Sequence, residues 1–70
     1  MTRQRRVILE AARAAADHPT ADAVCQAVRH RLPRVSLGTV YRNLETLSEA
    51  GLLRMLRLTG EQMRFDADTE

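Results

Sequence analysis

SLGTVYRNLETLSEAGLL, residues 36–53, is the stretch on which the fold of this chain turns. Ser36 is suited to cap a helix, because its hydroxyl can accept a hydrogen bond from an amide of the first turn. Leu37, Val40, Leu44 and Leu47 recur at spacings of three and four, which puts them on one buried side. Gly51 follows Ala50 at the place where a left-handed residue closes a helix. A helix is therefore expected over about residues 36–50. At about 100° per residue, Thr39, Arg42 and Thr46 point away from the leucine stripe, with Tyr41 and Asn43 on its two flanks. The front of the exposed face then carries Ser36, Thr39, Tyr41, Arg42 and Asn43. Hydroxyls, a ring with a polar tip, a guanidinium fork and an amide are the groups that read base edges and grip phosphates. Glu45 and Glu49 fall toward the far end, where a tilted recognition helix leaves the groove. The competing reading is an ordinary solvated helix surface, with Tyr41 covering the edge of the core.

Two further helical patterns precede this one. Ile8, Leu9, Ala12 and Ala15 or Ala16 form an apolar stripe over about residues 3–17, with Thr2 placed to cap it. Asp17-His18-Pro19 then breaks the helix, since the residue before proline is pushed from helical dihedrals. Thr20 can cap a second helix over about residues 20–32, and Asp22 in its first turn suits the helix dipole. Ala21, Val24, Cys25, Val28 and Leu32 are its buried stripe, and Pro33 ends it. Cys25 lies on that stripe as a small buried hydrophobe. After Gly51, two β-compatible runs at about 52–58 and 62–67 flank the turn Thr59-Gly60-Glu61, which predicts a hairpin. Three helices and a hairpin form an α+β fold, a winged helix-turn-helix whose turn is Leu32-Pro33-Arg34-Val35.

Composition agrees with one small domain. Seventy residues bury only about 60% of the surface of the unfolded chain, so modest stability is expected. A single cysteine excludes an internal disulfide framework and a Cys-rich zinc knot. Glu10 and Arg13 interrupt the N-terminal apolar stretch, which defeats a signal-peptide reading. No segment approaches the roughly 20 apolar residues of a membrane span, and a cytoplasmic location is expected. The net charge is +2, but Asp66, Asp68 and Glu70 crowd the end, while eleven arginines and six acids occupy residues 1–64. A net +5 over those residues suits nucleic-acid binding, as it suits many small soluble domains. Arginine without any lysine favours phosphate and guanine contacts, although with ten alanines a GC-rich coding sequence accounts for the bias more simply.

Arg3, Arg5 and Arg6 at the start of the first helix are candidate contacts to phosphate or an adjacent minor groove. Arg57 and Arg64 lie in the wing, whose tip Thr59-Gly60-Glu61-Gln62 is not basic, so backbone contact is expected there rather than deep insertion. No enzyme chemistry is legible. The chain has no Ser-His-Asp spacing, Gly-rich phosphate loop, HExxH pair or clustered carboxylates in a folded segment. His30, among arginines at the end of the second helix, is a natural partner of the helix dipole.

TRQRRVILEAA (2–12), HPTADAV (18–24), RLPRVSLGTVYRNLETLSEAGLL (31–53) and RFDADTE (64–70), in that order and without gaps, closely resemble the DNA-binding half of the ferric uptake regulator (Fur) family. The resemblance implies a bacterial metal- or peroxide-responsive repressor that binds palindromic double-stranded operators as a homodimer, with the third helix in the major groove. It assigns base and phosphate contact to Tyr41 and Arg42, with the early arginines as auxiliary contacts. In that family RFDADTE leads into a His-rich stretch and a second domain for dimerisation and metal binding, which residues 1–70 do not include. His18 and Asp66 match two metal-ligand positions of relatives. They make an incomplete set, for which a turn residue beside Pro19 and a solvated strand end are the expected roles. Fe, Mn or Zn is thus implied for longer members, and none is expected to be held by these residues. The remaining alternative is a winged-helix module that pairs with a longer regulator without reading DNA. Such a surface would expose contiguous leucine or methionine, for example Met55 or Met63.

Overall fold

The computed structural model describes residues 2–15, 18–56 and 63–67. The order is α1 (Arg3–Ala14), α2 (Ala21–Val28), α3 (Leu37–Glu49), β1 (Arg54–Leu56) and β2 (Arg64–Asp66). All three predicted caps are made. Thr2 accepts from the Arg5 amide at 3.2 Å, Thr20 from Ala23 at 3.2 Å and Ser36 from Thr39 at 3.1 Å. Each satisfies an amide that the helix itself leaves without a partner.

The C-terminal ends of α1 and α2 differ from expectation. Helix α1 stops at Ala14, and Ala15 is already extended, three residues short of the expected end; residues 16 and 17 lie outside the described residues. Alanine favours helix, but residues 18–20 run along β2 as an edge segment. Pro19 O accepts from the Phe65 amide at 2.9 Å, Arg64 Nη1 donates to His18 O at 3.0 Å, and Thr20 bridges Arg64. The chain must leave the helix early to reach that line. Helix α2 ends at Val28 rather than near Leu32. There the amides of His30 and Arg31 turn to carbonyls three residues back, Ala27 and Val28, and Arg29 Nε donates to Val35 O at 3.2 Å. A tightened turn thus replaces the last helical turn. Only α3 keeps its expected length. Gly51, at φ 82°, donates to Ser48 O at 3.1 Å while Leu52 donates to Leu47 O at 3.0 Å. This double closure is the Schellman arrangement.

The hairpin is antiparallel, pairing Arg54 with Asp66, Met55 with Phe65 and Leu56 with Arg64. β1 begins at Arg54 rather than at residue 52, because Leu52 closes α3 and Leu53 enters the core. The expected strand positions 57, 58 and 62 and the turn 59–61 lie outside the described residues. One core joins all the elements, built from Val7, Ile8, Leu9 and Ala12 of α1, Val24, Cys25 and Val28 of α2, Val40, Leu44 and Leu47 of α3, with Val35, Leu53 and Phe65. Phe65 is its largest fully buried side chain. The result is a winged helix in which α3 lies with its back against α1, α2 and the hairpin. No helix is long and apolar enough to cross a membrane among the described residues.

Candidate nucleic-acid interface

The front of α3 is tied down by its own cap and by a ring contact to the core. Ser36 Oγ accepts from the Thr39 amide and donates to Thr39 Oγ1 at 3.0 Å, so both hydroxyls are engaged in the cap. Tyr41 is half-buried, its ring standing edge-on to Phe65 at 6.1 Å between centroids and 84° between planes. That geometry is the favoured T-shaped one, and it fixes the ring from behind. No partner of the Tyr41 hydroxyl is found among the described residues. Arg42 is exposed, one position on. Leu37, Gly38, Tyr41, Arg42 and Glu45 line a shallow surface groove of about 420 Å³.

Two residues of α3, one from the expected stripe and one from its flank, depart from expectation. Leu37 is not part of the buried stripe; it is 41% exposed, the exposed large hydrophobic among the described residues. It is the first residue of α3, outside the buried core. Asn43, expected on the exposed flank with the reading residues, is only 9% exposed. Its Nδ2 donates to Thr39 O at 2.9 Å and its Oδ1 accepts from Arg5 Nε at 3.1 Å. The signal was present in the sequence. Three residues from Val40, Asn43 falls only about 60° from it around the helix, on the buried side.

Among the arginines expected as auxiliary contacts, Arg3 and Arg6 are exposed at the start of α1, and Arg5 is half-buried against α3. Arg57 lies outside the described residues, and Arg64 is half-buried with its guanidinium on His18 O. The structure brings His18 and Asp66 together, with Nδ1 3.7 Å from Oδ1. Asp66 is therefore no solvated strand end: its side chain is 18% exposed, beside the more open His18. Among the described residues no group of three or more His, Cys, Asp or Glu side chains could hold a metal ion. Two donors fall short of the four ligands of zinc or the larger set of manganese and iron. These residues alone do not fit a metal centre.

Known proteins give this geometry a context. Residues 1–70 match the profile described as "Ferric uptake regulator family". The chain is 39% identical over 66 residues to the "Peroxide operon regulator" of Bacillus subtilis (strain 168), covering 94% of this chain and 46% of the relative. It is 33% identical over 69 residues to the "Peroxide-responsive repressor PerR" of Staphylococcus epidermidis, covering 99% of this chain and 46% of that one. Among solved structures, a "manganese uptake regulator" superposes with a TM-score of 0.89 at 27% identity, over 100% of this chain and 52% of the other. PerR from Streptococcus pyogenes gives 0.85 at 28% identity, over 96% and 46%. The chain spans about half the length of the curated relatives it matches.

Proposed function

Since the chain belongs to the ferric uptake regulator family, we propose that it binds double-stranded DNA as the operator-reading half of a Fur-like transcriptional regulator, with α3 in the major groove. Members of this family are transcriptional regulators, not enzymes. The observation that carries the reading is the front of α3. There an exposed guanidinium, an anchored tyrosine ring and an exposed leucine share one groove on a capped helix. Arg42 supplies a fork for phosphate or guanine, while Leu37 and the Tyr41 ring offer apolar surface to thymine methyl groups. Arg3, Arg5 and Arg57 are auxiliary phosphate contacts.

One module of this size covers a half-site, so tight and specific binding calls for a second copy or a longer regulator alongside on a palindromic operator. The named peroxide, iron and manganese functions of relatives support a stress- or metal-responsive repressor as the parent activity. The alternative of a protein-interaction module draws little support from the surface. Met55 and Met63 are partly buried against the core rather than displayed.

The test is an anisotropy titration of the 70-residue chain with a labelled duplex, enriched by repeated selection from a random-sequence pool. Binding is expected to weaken linearly with log salt, by about 0.9 log units per log unit of salt for each phosphate contact. Arg42→Ala is expected to weaken it by about 1–3 kcal/mol without changing the fold. Binding without salt dependence, or insensitive to Arg42→Ala, refutes the proposal.

A further inference from the structure

We propose that Asn43 is a positioning residue that holds Arg5, from α1, as a pre-aimed phosphate clamp beside the recognition helix; this rests on the DNA-binding reading above. The observation is a continuous string of hydrogen bonds. It starts at the cap, where Ser36 Oγ bonds the Thr39 amide and hydroxyl. It continues from Thr39 O to Asn43 Nδ2 at 2.9 Å, and from Asn43 Oδ1 to Arg5 Nε at 3.1 Å. Arg5 is pinned at its other end too, since its amide donates to the capping Thr2 hydroxyl. The Asn43 amide has one orientation that makes both bonds, with oxygen toward the guanidinium donor and nitrogen toward the carbonyl. Its position is thereby set by α3, and the position of Arg5 is set by Asn43.

The chemistry of the holder matters. A guanidinium has five N–H donors, and the bond to Asn43 uses the one on Nε. Among the described residues, the Nη groups of Arg5 meet no acceptor and no carboxylate pairs with them. A half-buried arginine is usually restrained by an acid, which cancels its charge. Here the restraint is a neutral amide, so the full positive charge stays available. Two parallel Nη–H donors held in place suit a phosphate oxygen pair. An arginine already fixed in one rotamer loses less freedom on binding, which favours affinity. Asn43, an apparent base reader by sequence, thus acts from inside the protein.

The test uses a fluorescein-labelled duplex of mixed sequence, because phosphate contacts do not depend on base order. Affinities are measured against salt for the full chain and for Arg5→Ala, Asn43→Ala, the double variant and Arg5→Lys. Arg5→Ala is expected to lower the salt slope by about 0.9. Asn43→Ala is expected to weaken binding about 2- to 10-fold, the cost of ordering a freed side chain, and to add no loss when Arg5 is already alanine. Arg5→Lys keeps the charge but not the Nε–H bond, and it is expected to bind as weakly as Asn43→Ala. Equal losses from Asn43→Ala with and without Arg5, or wild-type affinity for Arg5→Lys, overturn the clamp while leaving DNA binding intact. Should Asn43→Ala lose its helical circular dichroism, Arg5→Lys alone decides. Absence of binding by the wild-type chain overturns this inference together with the proposed function.

Discussion

Replacing Phe65 by leucine probes the joint between the core and α3. Phe65 is fully buried, donates its amide to Pro19 O and carries the Tyr41 ring edge-on. Leucine keeps the backbone bond and most of the volume. The missing volume of about 25 Å³ costs roughly 0.6 kcal/mol at ~24 cal/mol per Å³ of cavity. Losing the edge-to-face contact costs about 0.5–1.5 kcal/mol more. The expected loss is therefore about 1–2 kcal/mol, against roughly 3.5–10 kcal/mol for a domain of this size. Thermal melts should fall by roughly 5–15 °C, at ~4–8 °C per kcal/mol for small domains. Urea unfolding followed by far-UV circular dichroism measures the loss directly. The same variant should bind DNA more weakly with an unchanged salt slope, since no phosphate contact is removed. A stability loss below about 0.5 kcal/mol, or DNA affinity equal to wild type, would refute the role of Phe65 as the anchor of Tyr41.

The two described glycines of α3 and its end should respond with opposite signs. Gly51→Ala forces a side chain into φ 82° and should cost about 1–2 kcal/mol in urea unfolding. At Gly38 a Cβ would meet only Ser36 Oγ at 4.0 Å, so Gly38→Ala should stabilise by about 0.5–1 kcal/mol; matching signs would show that the backbone account is wrong. Leu37→Ala should change stability by no more than about 0.5 kcal/mol because the side chain is exposed. It should still weaken binding to a selected duplex, and that loss should vanish when deoxyuridine replaces thymidine and removes the methyl group. A Leu37 effect that persists on the uracil duplex would exclude methyl contact.

What the sequence disclosed follows the range of the forces involved. The three caps and the Gly51 closure depend on residues within one turn, and Thr2, Thr20, Ser36 and Gly51 occupy the positions their chemistry predicts. The ends of α1 and α2 were not legible. The first is cut short as residues 18–20 join β2, where Thr20 bridges Arg64, 44 positions further along the chain. Periodicity placed Val40, Leu44 and Leu47 correctly but said nothing of where the core stops, so Leu37 emerged on the surface. Residue type misled at Asn43. A polar side chain suggested solvent, whereas a partner on α1, 38 positions away, made burial tolerable. The adjacency of Tyr41 and Arg42 is plain in the sequence, but the ring's support by Phe65 requires the hairpin to be folded back on α3.

The proposed function requires the front of α3 to be the surface that meets DNA. Amide chemical-shift mapping by NMR, titrating the selected duplex into the labelled 70-residue chain, tests it most directly. The largest shifts are expected to cluster at Ser36–Asn43, with a second group at Arg3–Arg6 on α1. Shifts centred instead on the cleft between α1 and α2, at Ala11, Ala23 and Ala27, with residues 36–43 unmoved, would contradict it.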